Sequence, residues 1–295
     1  MSLPDTEAAS ARYAELDAWD LPTILTALWE SQLAAVAALG PALPALARAV
    51  QAASARLRGG GRLAYAGAGT SGRIAIQDGA ELAPTFDWPE ERLLLFMAGG
   101  AQAFVRAVEN AEDRADQARA EIGAAKLGPA DVLVGVAASG TTPYAVASIE
   151  AAREIGALTI GIANSRGTPL LQAAEIPVLI ETGTEAIAGS TRMKAGTAQK
   201  VALNLFSTAL MVHLGRVYRG RMVDMLARNE KLRRRAVRMV TELTGCTEDA
   251  ARVALGSAGG KVKLAVLMVF RRCDTPTAER LLAESGGDLR AALQQ

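Results

Sequence analysis

Histidine and cysteine are nearly missing from this chain: it holds one histidine, His213, and two cysteines, Cys246 and Cys273, in 295 residues. A structural or catalytic zinc needs three or four clustered His, Cys or carboxylate ligands, so no metal site is expected. The cysteines stand far apart with no ligand-type spacing around them, which reads as a reduced, cytoplasmic protein. An excess of charge of either sign is also missing. Lys and Arg number 32 against 31 Asp and Glu, a formal net charge of +1, so nothing global argues for nucleic acid or a membrane surface as partner. Long apolar runs are absent too. The most apolar region, residues 33–50, is interrupted by Gly40, Pro41, Pro44 and Arg48 and is not a membrane span. The first residues, MSLPDTEAASARYAEL, are polar and acidic, unlike a signal peptide. His213 lies in an apolar helical run and reads as a packing residue.

What is present is an ordinary globular composition, 50% hydrophobic and 21% charged, arranged in a strict alternation. Residues 1–18 read as an extended arm and two helices follow, at 21–38 and 42–58. Strands are then expected at 62–66, 92–97, 131–137, 157–163 and 176–181, with helices at 71–82, 101–123, 142–155 and 193–216. The strands are continuous apolar runs such as Val132-Leu133-Val134-Gly135-Val136. Strands that apolar are buried on both faces, which predicts an α/β fold with a parallel sheet flanked by helices on both faces. After residue 220 the strand signal stops. A helix is expected over 222–243, with a solvated basic face carrying Lys231, Arg233, Arg234, Arg235 and Arg238. A weak repeat follows, ARVALGSAGGKVKLA over AERLLAESGGDLRAA, each copy a helix, a Gly-Gly turn and a helix. The division expected is 1–220, the α/β domain with its N-terminal helices, and 221–295, a small all-helical (UBA-like) subdomain.

Chemistry concentrates where the strands end. The first strand runs into Gly67-Ala68-Gly69-Thr70-Ser71-Gly72-Arg73 and then directly into a helix. Strand, glycine-rich turn and helix N-terminus together make an anion site, because free N–H groups and the helix dipole face the ligand. The letters also fit the dinucleotide fingerprint G-x-G-x-x-G, and a bare tight turn is a third reading. Two features favour a phosphate monoester: the donors of Thr70, Ser71 and Arg73, and the absence of an acid at the end of the second strand. Two more hydroxyl-rich loops follow later strands, Ser139-Gly140-Thr141-Thr142-Pro143 and Ser190-Thr191-Arg192-Met193-Lys194. Three such loops at successive strand ends converge above one sheet, which points to a phosphosugar pocket. On bare chemistry Glu81 and Glu112 are ordinary helical surface acids.

Together the segments GAGTSGR (67–73), GAELAPTF (79–86), MAGG (97–100), AVENAED (107–113), ASGTTPY (138–144) and GSTRMKAGTAQK (189–200) resemble the N-acetylmuramic acid 6-phosphate etherases. These belong to the sugar isomerase (SIS) superfamily and are related to the glucokinase regulatory protein. The resemblance runs from about residue 20 to the end. It departs at Leu82-Ala83-Pro84, where Cys-Pro or Gly-Pro is common in the family, and at Asn110, where the family has Gly. It implies cleavage of the C3 lactyl ether, giving N-acetylglucosamine 6-phosphate and D-lactate. Glu81 would be the proton donor to lactate and Glu112 the second acid/base residue. Gly69, Thr70, Ser71, Arg73, Ser139, Gly140, Thr141, Thr142, Ser190, Thr191 and Lys194 would hold the substrate and its phosphate. Neither metal nor redox cofactor is required. Two alternatives share the fold: a sugar-phosphate isomerase and a non-enzymatic sugar-phosphate sensor. A homodimer is also expected. An unbroken helix would part Ser71 from Glu81 by ~15 Å, so either the helix breaks near Asp78-Gly79 or Glu81 serves the neighbouring subunit.

Overall fold

The computed structural model describes residues 5–225 and 230–295. It resolves the chain into two compact units. One holds the residues up to Ala80 together with Glu91–Ser207, and the other holds Glu81–Glu90 together with Thr208–Gln295. The division therefore falls at Ser207, not at residue 220, and it takes a ten-residue segment out of the middle of the first half.

In the first unit the N-terminal residues form short 3-10 turns (Asp5–Glu7, Ala11–Tyr13, Leu16–Ala18) where an extended arm was expected. Helix α1 (Leu21–Ala37) starts at Asp20, whose carboxylate accepts from the Thr23 N–H as an N-cap. Pro41 and the 3-10 turn Gly40–Ala42 separate it from α2 (Leu43–Arg58). The stretch Leu21–Arg58 is long and apolar enough by composition to cross a membrane. Its apolarity in α2 is explained by packing: Leu46, Ala49, Val50, Ala53 and Leu57 are buried, and the helix lies against the sheet.

Strand β1 (Leu63–Gly67) feeds α3 (Gly69–Ala80), and α4 (Leu82–Phe86) belongs to the other unit. Then come β2 (Leu93–Met97), α5 (Ala115–Ala124), β3 (Val132–Ala137), α6 (Pro143–Glu154), β4 (Leu158–Ala163), α7 (Pro169–Ala173), β5 (Ile176–Leu179) and α8 (Lys194–His213). The five strands are parallel in the order β2-β1-β3-β4-β5. Alternate residues of β1 show the two faces. Ala64 and Ala66 join Ile122, Ile149 and Leu170 of α5, α6 and α7 in one core, while Tyr65 points to α3. Chain order reverses between β1 and β3, and in open α/β sheets the ligand crevice opens at that switch point, beyond the carboxyl ends of the strands.

A buried carboxylate joins the helices of the second face. Asp78 of α3, 2% exposed, accepts from Tyr65 Oη (3.1 Å), Asn204 Nδ2 (2.6 Å) and Ser207 Oγ (3.1 Å). Burial raises its pKa against the opposing pull of those donors. The unfolded chain therefore ionises first, so the stability Asp78 contributes is fully present below the ordinary carboxylate range and falls as pH rises through the raised value. Asp78→Asn keeps the shape, and the Tyr65 hydroxyl can reverse to accept. We expect stability at pH 7 within about 1 kcal/mol of wild type or above it, the balance moving toward the variant as pH rises. Asp78→Ala leaves the buried hydroxyls of Tyr65 and Ser207 without their acceptor and is expected to cost about 2–4 kcal/mol. Denaturant unfolding across pH 4–8 (an assay range of roughly the carboxylate titration) measures both.

In the second unit, the antiparallel pair β6 (Val217–Tyr218) and β7 (Arg221–Met222) precedes α9 (Glu230–Thr244). Of the helix expected over 222–243, residues 222–225 are not helical and the described helix is Glu230–Thr244, residues 226–229 lying outside the described part. The repeat is present as α10 (Glu248–Ser257), α11 (Val262–Arg271), α12 (Thr275–Glu284) and α13 (Leu289–Gln294). Its two Gly-Gly turns have nearly the same geometry, φ +61° and +81° at Gly259-Gly260 and +61° and +80° at Gly286-Gly287. Only glycine adopts two such residues in a row without strain. One hydrophobic core runs through these helices, from Tyr218 to Ala292. The excised segment joins this unit through Arg216, whose Nη1 donates to the carbonyls of Phe86 (2.6 Å) and Asp87 (2.9 Å) and whose guanidinium lies 5.1 Å from the Trp88 ring centre.

Candidate functional site

The glycines of the first loop have separate tasks. A Cβ on Gly72 would lie 2.7 Å from the Gly67 carbonyl carbon and 2.5 Å from Met97 Sδ, so Gly67 and Gly72 let strand and helix touch. Gly69 opens α3 at φ +53°, with open space where a side chain would be. That arrangement presents the start of α3 to a cleft of about 290 Å³.

The cleft brings together Gly69, Thr70 and Arg73 on one wall and Val108, Glu109, Asn110 and Glu112 on the other. The second wall is not the helix 101–123 that the spacing suggested. Residues 98–114 form a loop with two 3-10 turns, Ala101–Phe104 and Ala111–Asp113, and only Ala115–Ala124 is α-helical. Asn110 sits at φ +55° and ends any helical path, while Gly99 (φ +84°) packs so closely on Val108 that a Cβ would lie 2.9 Å from Val108 Cβ. The loop places Glu112, exposed, at the mouth of the hollow. Glu109 lines it as well, a second carboxylate that the spacing of a continuous helix gave no reason to single out. Arg73 does not extend freely into the cleft: its Nε donates to the carbonyls of Ala103 (3.0 Å) and Phe104 (3.1 Å).

The other loops stand at the same edge of the sheet. Ser71 is 8% exposed, on the first turn of α3. Ser139 Oγ accepts from the Thr141 N–H (3.2 Å) and hydroxyl (2.9 Å), a closed turn at the end of β3. Gly140, at φ +67°, lies so close to Thr168 that any side chain would collide with it. Thr142 precedes Pro143, the first residue of α6, and its hydroxyl makes no capping bond. The third loop reaches the first at Gly196, where a Cβ would meet Thr70 Cγ2 at 3.4 Å. This brings Ser190, Thr191 and Lys194, which lead into α8, beside the loop that opens α3.

Electrostatics separate these helix starts. Both carboxylate oxygens of fully buried Glu185 accept from N–H groups at the head of α8, Lys194 N and Ala195 N, each at 2.9 Å. The α8 terminus is thus already occupied by an anion, whereas α6 carries no side-chain cap. Lys194 Nζ donates to the Thr184 carbonyl at 3.0 Å, and burial lowers its pKa against the raising effect of Glu185. Glu185 lies nine residues before the helix it caps, beyond the three-residue spacing by which capping boxes are recognised in sequence. Among the described residues no group of three His, Cys, Asp or Glu side chains is placed to hold a metal ion.

Glu81 lies outside this set. Helix α3 does not break at Asp78-Gly79 but continues to Ala80, a span of roughly 17 Å from Gly69. Glu81 follows it directly, exposed, at the head of α4. Pro84 lies inside that short helix, so it does not terminate α3. Glu81 and Glu112 fall in different units of the chain.

Comparison with known proteins gives consistent matches. Residues 45–153 match the glucokinase regulatory protein N-terminal SIS domain family, and residues 109–209 match the SIS domain. The chain is 48% identical to an N-acetylmuramic acid 6-phosphate etherase of Deinococcus radiodurans, covering 98% of this chain and 94% of that one. It is 47% identical to the Streptomyces coelicolor protein of the same name over 98% and 93%. Among solved structures, a phosphoheptose isomerase from Francisella tularensis matches with a TM-score of 0.50 at 19% identity, over 66% of this chain and all of that one. An Escherichia coli protein solved as a ligand complex matches at 0.51 and 20%, over 65% and 90%. The structural matches share the fold; the sequence matches span nearly the whole chain.

Proposed function

Since the chain belongs to the N-acetylmuramic acid 6-phosphate etherase family, we infer that the α3 cleft is where its substrate's phosphate and sugar are held during ether cleavage. The enzyme is a carbon–oxygen lyase that releases D-lactate from C3 and leaves N-acetylglucosamine 6-phosphate. The observation that carries the site assignment is the cleft itself, in which a helix start with Gly69 and Thr70 faces the carboxylate of Glu112.

The chemistry asks for little more than such a pairing. Ring opening gives a C1 aldehyde, which acidifies the C2 proton. Glu112 removes that proton, the C3–O bond breaks, and Glu81, which the neighbouring subunit supplies because α3 runs unbroken to Ala80, protonates the departing lactate oxygen. Water then adds at C3 of the enal and C2 is reprotonated. General acid–base groups suffice for each step. The phosphate is anchored by the N–H groups of α3 with the hydroxyls of Thr70 and Ser71, and by the turn Ser139–Thr142 before α6. Those two helix starts suit a dianion better than α8, whose N–H groups Glu185 already engages. Ser190, Thr191 and Lys194 then face the sugar. Incubation with N-acetylmuramic acid 6-phosphate should yield equimolar D-lactate. A ketose phosphate in its place would support an isomerase, and neither product a sensor.

The working form is a homodimer, and α1 supports this. The helix buries its small residues, Ala27, Ser31 and Ala35, and exposes its large ones: Leu21 (66%), Leu25, Trp29 (61%), Leu33 and Val36. A helix so inverted leaves an apolar stripe that a second copy of α1 would cover. Trp29→Asp is expected to shift the protein from dimer to monomer in sedimentation. An unchanged dimer would remove α1 from the interface, and flotation of wild type with lipid vesicles would assign the stripe to a membrane.

A further inference from the structure

The residue that the phosphate-binding pattern explains least is Arg73. A guanidinium one turn into the helix after a phosphate loop is naturally taken as counter-charge to the phosphate. Its hydrogen bonds lead elsewhere. Nε is shared between the Ala103 and Phe104 carbonyls at 3.0 and 3.1 Å, and Nη2 reaches the Arg106 carbonyl at 3.5 Å. These carbonyls close the 3-10 turn Ala101–Phe104 and the bend after it. The turn's own backbone bonds run to Gly100 and Gln102, from Ala103 N, Val105 N and Arg106 N. The carbonyl ends of a helical turn are partially negative, so a cation is the complement they need.

We propose that Arg73 is a positioning residue that ties the loop 98–114, and with it Glu112, to the phosphate-binding helix. The geometry makes the link direct. Arg73 sits one turn beyond Thr70 on α3, and the loop it grips supplies the opposite wall of the same cleft, Val108 to Glu112. Few other anchors hold the middle of that loop. Phe104 and Val105 are exposed, Val105 by 81%, and only Ala103 is buried within the turn. Gly99 and Gly100, at φ +84° and +71°, leave the loop's first hinge able to adopt other paths once the tie is cut. Arg73 thus makes the start of α3, where the phosphate lands, and the wall bearing the base one rigid piece. Lysine cannot replace it fully, because a single ammonium does not reproduce the guanidinium fork across three carbonyls.

The catalytic consequence rests on Glu112 being the base, but the tie itself can be read without turnover. In ligand-free Arg73→Ala, amide hydrogen exchange over residues 100–112 should accelerate by about tenfold or more, with the sheet unchanged. The inhibition constant of inorganic phosphate against turnover should stay within about threefold of wild type. The kcat for lactate release, and the C2 proton–deuterium exchange of N-acetylglucosamine 6-phosphate, should both fall by about tenfold or more, with KM changed far less. Arg73→Lys should fall between the two in each measurement, and it serves if the alanine variant folds poorly. A tenfold weakening of phosphate, with exchange at 100–112 unaltered, would overturn the proposal and make Arg73 a phosphate ligand. Faster loop exchange with normal kcat would leave the tie standing but sink its catalytic role. Loss of C2 exchange in Arg73→Ala but not in Glu112→Gln would instead count against the assignment of the base.

Discussion

Replacing Glu81 by glutamine should stop lactate release, with kcat lowered by roughly a thousandfold, the usual contribution of a positioned general acid. The substitution keeps size and hydrogen-bonding capacity but cannot supply a proton to the departing ether oxygen. Proton abstraction at C2 comes earlier and uses another group, so the variant should still exchange the C2 hydrogen of N-acetylglucosamine 6-phosphate with deuterated water. Glu112→Gln should lose both activities, because without the base no carbanion forms. The contrast between the two variants is the test. Neither carboxylate is expected to matter much for folding, since both are exposed. Wild-type lactate release by Glu81→Gln, measured enzymatically, would end its assignment as acid. Exchange surviving in Glu112→Gln at the wild-type rate would transfer the base to another residue, with Glu109 the first to examine because it lines the same cleft.

Gly72→Ala should be strongly damaging to the first unit. Its methyl would meet the Gly67 carbonyl group at 2.7 Å, and backbone cannot turn aside as the Met97 side chain can. Either α3 lifts away from β1 or the Gly67 peptide moves. The second course disturbs the bond from Ala98 N–H to the Gly67 carbonyl, 3.1 Å, which aligns the ends of β1 and β2. Overpacking of this kind costs about 3 kcal/mol or more where backbone must shift. Phosphate affinity should fall with stability, since the displaced element is the helix start proposed to bind it. Gly69→Ala is the control. Its Cβ meets open space and its cost is the left-handed backbone alone, about 1–2 kcal/mol, so the fold should survive while the added methyl narrows the cleft. Denaturant unfolding and phosphate inhibition separate the two variants, and a Gly72→Ala protein of normal stability would contradict the close-approach argument.

Much of this architecture was already legible in local patterns. Continuous apolar runs mark doubly buried strands, and the five strands lie within a residue or two of where those runs stand. Pro143 begins α6 because a missing N–H costs nothing at a helix start. The two Gly-Gly turns repeat because each must adopt positive φ twice. In all these cases the determining contacts lie within a few residues, or depend only on how apolar a segment is.

Tertiary structure decided the rest, for the opposite reason. Residues 101–114 have helical spacing, but Gly99 against Val108, Arg73 on the carbonyls of Ala103 and Phe104, and left-handed Asn110 hold them as a loop. Glu185 caps a helix nine residues away, and Asp78 finds Asn204 and Ser207 more than a hundred residues later. The segment Glu81–Glu90 follows the C-terminal helices because Arg216 holds Phe86 and Asp87 by their carbonyls. Periodicity records how much of a residue is buried, not which distant group completes its hydrogen bonds. In this protein the sequence alone determined the sheet, the glycine turns and the strand–turn–helix at Gly67–Arg73. Which groups share the cleft, and which hold it in shape, depends on long-range partners and was settled only in the folded chain.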